Sequence, residues 1–244
     1  HPSTLISVNN LGLVLTKQGQ YEEAEAMYRR ALEARQKVLG REHPDTLTSV
    51  NNLGLVLKSQ GKYKEAEAMY RRALEARQKV LGQEHPDTLG SVNNFASVLS
   101  KQGQYKEAEA MYRRALDGYE KVLGREHPDT LMSVNNLGSV LFKQGQYEEA
   151  EAMYRRALEA RQKVLGREHP DTLTSVNNLG DVLSKQGRHE EAEAMHRWAQ
   201  TVDSSTLMQQ GILLKNIFST PHPLLQLSLR HHRSLEEKHD RDVD

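Results

Sequence analysis

The chain has 244 residues, with 33 Lys and Arg against 33 Asp and Glu, 11 His, 16 Gly and no Cys. A zero formal charge lacks the basic excess that phosphate neutralisation needs, so nucleic acid is not an expected partner, and no polybasic surface points to a membrane. Without Cys there are no disulfides, thiolate metal sites or cysteine nucleophile, and no run reaches the roughly 18 apolar residues that span a bilayer.

His-Pro recurs at His1, His43, His85, His127 and His169, always 42 residues apart. Residues 1–42 and 43–84 are identical at 35 places and differ at 7. The expected organisation is five repeats over 1–202 (1–42, 43–84, 85–126, 127–168 and an incomplete 169–202), followed by a non-repeat tail over 203–244. The chain opens on His1-Pro2-Ser3 with neither Met nor a signal peptide, which suggests a piece of a longer protein.

Each repeat reads as two helices. In the second repeat, Pro44 suits a first helical turn, where its missing N–H costs nothing, with His43 or Asp45 at the cap. Leu47, Val50, Leu53, Gly54 and Leu57 then fall on one helical face until Gly61 ends the helix. A second helix starts near Tyr63, with an apolar stripe of Ala66, Met69, Tyr70, Ala73, Leu74, Val80 and Leu81, and Gly82 ends it. Glu67 and Arg71 make an i,i+4 pair in the favourable order. Gly54, Ala66 and Ala73 are expected to let the two backbones approach, with Tyr63 and Tyr70 filling the gaps around them. A lone hairpin cannot bury both faces, so neighbours must stack. In the tail, Leu207–Phe218 is a candidate capping helix, or the mark of an altered reading frame, and Ser234–Asp244 is expected to be disordered.

Val50-x2-Leu53-Gly54-x2-Leu57, then Ala66-x3-Tyr70 and Ala73, resembles the tetratricopeptide repeat (TPR). The unit is longer than the usual TPR and lacks its closing Pro. With Asn-Asn-Leu-Gly in the first helix and Leu-Gly-x-Glu-His-Pro-Asp in the linker, it resembles the TPR arrays of kinesin light chains. The near-identical copies are similar to TPR arrays of fungal NOD-like (STAND) receptors. The resemblance covers residues 1 to about 200 and implies an all-α fold: an α-solenoid, a right-handed superhelix of stacked antiparallel helix pairs.

Several motifs have simpler readings than chemistry. His-Pro-Asp, which J-domain co-chaperones use, stands at the start of a helix in every repeat that has it and reads as capping. Histidines spaced one per stacked hairpin cannot converge on one ion, because packed helices stand about 8–10 Å apart. Gly54 to Gly61-Lys62 has the wrong spacing for a phosphate loop, and no Gly-x-Ser-x-Gly elbow is present. Arg71-Arg72 reads as salt-bridged surface and Glu65 and Glu67 as a solvated face. No catalytic residues, metal or cofactor are expected.

Turned at 100° per residue, the first helix places Thr48, Asn51, Leu55 and Lys58 on a second face, which in a TPR superhelix lines the concave, peptide-binding groove. Asn51 is constant among the copies as Asn9, Asn93, Asn135 and Asn177, and Asn52 as Asn94 and Asn136. The places around them vary and include Lys58, Met132, Ser139, Phe142 and Asp181. The expected site is an Asn ladder clamping a peptide backbone, with the varied side chains setting specificity. The alternative is that the Asn residues bond neighbouring helices. Lys58 is the one cation on this face near the Asn pairs, so a chaperone-tail receptor is not expected. The expected function is a non-catalytic, cytoplasmic protein-interaction module that binds a protein or peptide, with self-association through the array ends as a further route. It would serve as the ligand-sensing or scaffold array of a larger fungal NOD-like receptor, or else as a kinesin light chain cargo array or the regulatory domain of an enzyme.

Overall fold

The structure, a computed structural model, describes residues 2–201, so the expected tail over 203–244 lies outside the described residues. The chain divides into two compact units, 1–196 and 197–244. The first contains α1 (Pro2–Lys17), α2 (Tyr21–Leu39), α3 (Pro44–Ser59), α4 (Tyr63–Leu81), α5 (Pro86–Lys101), α6 (Tyr105–Val122), α7 (Pro128–Lys143), α8 (Tyr147–Leu165), α9 (Pro170–Lys185) and α10 over 189–196. Of the second unit, residues 197–201 are described and are helical. Among the described residues there is no strand. Each helix from α1 to α8 packs on the next in sequence, giving the stacked pairs that the repeat required.

Helix starts follow from the linker chemistry. His43, in extended conformation, is the N-cap of α3, and its Nδ1 accepts from the Asp45 backbone N–H at 3.2 Å. His85, His127 and His169 do the same at 3.1–3.2 Å. The imidazole satisfies an N–H that the helix itself leaves orphaned, and proline follows in the first turn. The chain reverses between helices at Gly61 and Gly82, whose φ values of +77° and +87° lie where a Cβ is disfavoured.

The odd-numbered helices are buried on two sides. Leu47, Val50, Leu53 and Leu57 are buried as expected, but so are Thr46, Ser49 and Val56. That second buried side faces the preceding repeat. In the even-numbered helices Ala66, Tyr70, Ala73 and Leu74 are buried, but Val80 is 45% exposed and Arg77 is buried in its place. Arg77 covers its stem and carries its guanidinium across the junction, where Nη1 donates to Asp87 O (3.0 Å) and Ser91 Oγ (2.9 Å). Arg35 and Arg161 make the same clasp. The close approach at Gly54 is also of a different kind from that expected. A Cβ there would stand 2.8 Å from the ring of Tyr70, so the glycine makes room for an aromatic side chain and not for a backbone.

A second clasp uses the carboxylate expected to be solvated. Glu67 accepts from Gln102 of the next repeat at 3.0 Å and pairs with Arg71 at 2.7 Å in its own helix. Glu25 likewise takes Lys62, Glu109 takes Gln144 and Glu151 takes Arg188, each at 2.8 Å.

At Gly138 a Cβ would lie 2.9 Å from the Tyr154 ring and 3.2 Å from Met153 Cβ. Gly138→Leu is expected to cost about 1–3 kcal/mol by overpacking, read from chemical denaturation. A second expectation concerns acid. Burial raises the carboxyls of Glu25, Glu109 and Glu151, but the hydrogen bonds and cations around them outweigh it and hold all three below the usual 4.5. A carboxyl with a lowered folded pKa adds stability that is complete above its unfolded value and is lost as pH falls through the folded one. Denaturation midpoints should therefore drop as pH falls below about 4.5, and Glu109→Gln should flatten that slope.

Candidate peptide-binding groove

The odd-numbered helices form the inner row of the stack. α3 touches α5, α5 touches α7 and α7 touches α9, whereas successive even-numbered helices do not approach in this way. A stack whose one row is closer-spaced curves toward that row, and Asn51 and its copies stand on the helices of that row.

The asparagines bond from repeat to repeat. Asn52 Nδ2 donates to Asn9 Oδ1 at 3.0 Å, Asn94 to Asn51 at 2.9 Å and Asn178 to Asn135 at 3.1 Å. The junction between the third and fourth repeats differs. There Asn93 is only 3% exposed and its Oδ1 accepts from Ser133 Oγ at 3.3 Å. Tyr119 replaces the clasping arginine at this junction, and Ser133, without that guanidinium, turns to Asn93. The asparagines thus bond neighbouring helices, as the alternative reading of them expected. Asn9, Asn51 and Asn135 are half-buried, with their acceptor oxygen committed to a neighbour. Each keeps its Nδ2 donors, and Asn177 is exposed. Asn52 and Asn94 act as donors in the ladder, while Asn136 is half-buried without this bond.

The varied places also have internal partners. Ser139 faces the Tyr154 hydroxyl, whose pKa is pushed up to about 12 by burial, with the Ser139 bond acting against the rise. Ser97 stands likewise toward Tyr112, also pushed to about 12. In the fifth repeat the pair becomes Asp181 and His196, 3.7 Å apart. In the second it is Leu55 and Tyr70, and the Tyr70 hydroxyl is buried without a partner. Phe142 packs on Tyr147 with ring centroids 5.6 Å apart. Met132 is exposed at the start of α7. So Ser139, Phe142 and Asp181 each meet a residue of their own second helix.

Lys58 has company that the repeat comparison did not find. Its Nζ donates to Ser97 Oγ at 3.0 Å, and Lys143 Nζ donates to Ser100 Oγ at 3.1 Å. Burial and then the charge of Lys101 hold both ammonium groups below their usual pKa. Among the described residues no carboxylate lies within 4 Å of Lys58, Lys101 or Lys143, whereas Arg29, Lys62, Arg71 and Arg113 each pair with one. Sequence comparison missed this cluster because Lys101 and Lys143 align with Ser59, one place beyond Lys58. The helix stagger brings the two registers together. Among the described residues no three His, Asp or Glu side chains converge as metal ligands, and no helix is long and apolar enough to cross a membrane.

The paired places give a differential expectation. Tyr70→Phe removes a buried hydroxyl that bonds to nothing and should raise the melting temperature, whereas Tyr154→Phe should cost about 0.5–1.5 kcal/mol. Thermal melts of the two variants compare them directly.

A family profile for the tetratricopeptide repeat matches residues 3–79, 50–121, 87–139 and 129–205. A comparison with curated proteins returned no match. Among solved structures, the chain is similar to a putative kinesin light chain from Podosopora anserina with nearly identical TPR-like repeats. The two are 28% identical with a TM-score of 0.69, over 84% of this chain and 98% of that one. It is also similar to BtubC (BKLC) from P. vanneervenii, at 26% identity and TM-score 0.70 over 82% of this chain and 79% of that one. Apo RapI, at 16% identity, TM-score 0.69 and 96% and 84% coverage, shares the fold alone. Five helix pairs in 42-residue register, together with this match along nearly the whole repeat region, place the chain in the tetratricopeptide-repeat family.

Proposed function

We propose that the inner face is a groove for an extended segment of a protein partner, and that an acidic group of that segment sits over Lys58, Lys101 and Lys143. TPR arrays are typically protein-interaction scaffolds, and the reading here is a non-catalytic, cytoplasmic one. What carries it is the lysine cluster: three cations from successive repeats, two of them partly desolvated by burial and bonded to serine hydroxyls, with Lys143 also over the Tyr105 ring. The charge of Lys101 disfavours the charged forms of the other two, and an anion beside them relieves that repulsion. The asparagine row fits the same ligand, since Nδ2 groups with committed oxygens offer donors to a run of backbone carbonyls. Ser139, Phe142 and Asp181 then distinguish one repeat from the next along the segment.

The near-identity of the repeats is shared with the putative kinesin light chain from Podosopora anserina, so this feature fits a receptor array and a kinesin light chain array alike. The transcript upstream of the His1 codon discriminates: a Walker A loop fits a NOD-like receptor and heptads fit a kinesin light chain.

Fluorescence anisotropy with extended nonapeptides carrying one Glu, against the same peptides with Gln, tests the groove. The Glu series should bind more tightly, and Lys101→Gln should remove about 1.5–3 kcal/mol of that preference while leaving the melt unchanged. Added salt should weaken the Glu series alone. Equal binding of both series, before and after Lys101→Gln, would overturn the reading.

A further inference from the structure

The corner where an odd-numbered helix begins, its partner ends and the next repeat starts takes three forms in this chain. In the second repeat it is closed, because the second guanidinium nitrogen of Arg77 reaches Thr48 Oγ1 at 3.5 Å. In the third it is filled. Tyr119 stands in the arginine's place, its hydroxyl donates to Pro86 O at 3.4 Å, and Gly90 leaves room for it, since a Cβ there would lie 3.3 Å from that oxygen. In the fourth it is open. Met132 replaces the threonine and cannot accept in its place, leaving a cavity of about 250 Å³ walled by Leu131, Met132, Val164 and Leu165 with Arg161 against it.

Arg161 is 6% exposed and spends Nη1 on Asp171 O and Ser175 Oγ, both at 2.8 Å. Among the described residues its Nη2 has no acceptor. The walls include two exposed apolar side chains, Met132 at 39% and Val164 at 45%. A cavity of this size admits one branched or aromatic side chain and excludes a helix. The carboxylates of Asp129 and Asp171 also line it, so the acceptor that Nη2 lacks is a neutral one. A main-chain carbonyl next to an apolar side chain supplies both features.

We propose that this corner is an anchor pocket for one aliphatic or aromatic residue of a protein partner, whose carbonyl accepts from Arg161 Nη2. The proposal rests on the groove reading for the partner's approach, because Met132 lies one turn from Asn135 on α7. It makes the fourth repeat the place that fixes the register of the segment: an apolar residue here, and an acidic one toward the lysines at the far end of the same helix.

The test is methyl NMR on the whole chain with N-acetyl-leucinamide, which needs neither the asparagines nor the lysines. The Met132 and Val164 methyl signals should shift saturably at millimolar concentration. N-acetylglycinamide should bind about tenfold more weakly, for lack of the side chain. Met132→Thr restores the closed corner of the second repeat and should weaken the leucinamide about fivefold, with an unchanged melt. Equal response to the two amides, no saturable shift, or an unaffected Met132→Thr variant would each overturn the pocket. If leucinamide binds as expected while Glu and Gln nonapeptides remain indistinguishable, the pocket stands and the acidic-segment reading falls.

Discussion

An amphipathic helix pair of this length has more apolar surface than its two helices can hide from each other, and every other feature of the array follows from that surplus. The surface left over is the leading side of each odd-numbered helix. Val56 is fully buried there by the preceding repeat, whereas its counterpart Val14, in the first described repeat, is 49% exposed. The same side chain in the same local structure thus has two fates, and the difference is the neighbour. Burial of this kind is worth about 1.5–3 kcal/mol for each large aliphatic group, which the asparagine bonds cannot match.

Polar clasps give the stack its register. Apolar surfaces of nearly identical repeats would tolerate sliding, because hydrophobic contact is non-directional. Three directional contacts recur at the junctions: asparagine to asparagine, glutamate to the residue ahead of the next second helix, and arginine to the start of the next first helix. The third repeat shows that these contacts are coupled. Exchange of one arginine for Tyr119 removes the guanidinium clasp, releases Ser133 to Asn93 and is accommodated by Gly90. At that junction Glu120 pairs with Arg156, at the places where Gln36 meets Arg72 and Gln78 meets Arg114. Sequence differences that look like drift when repeats are aligned in columns are in this case one rearrangement.

The same coupling bears on recognition. Ser139 stands toward Tyr154 and Asp181 toward His196 on their own second helices, whereas Leu55 leaves the Tyr70 hydroxyl without a partner. In the proposed groove some varied places are thus tied to the second helix, while the lysines, with no carboxylate beside them among the described residues, keep their charge available.

By itself the sequence determined the helix pairs, their ends and their stacking, because each of these is local or periodic. Proline and His-Pro-Asp start helices, left-handed glycines stop them, and a 42-residue repeat leaves one way to bury the surplus face. It also put Asn51 and its copies on one shared face of their helices, since angular position on a helix is fixed by residue number. What it could not determine is which atoms meet across a junction. Arg77 carries a charge that conceals the burial of its stem, Val80 looked like core because it continued an apolar stripe, and Gly54 looked like a backbone contact although a tyrosine ring lies over it. Lys101 and Lys143 aligned away from Lys58, and only the stagger between successive helices brings the three together. Those outcomes depend on distances between segments some forty residues apart, and tertiary packing alone sets them.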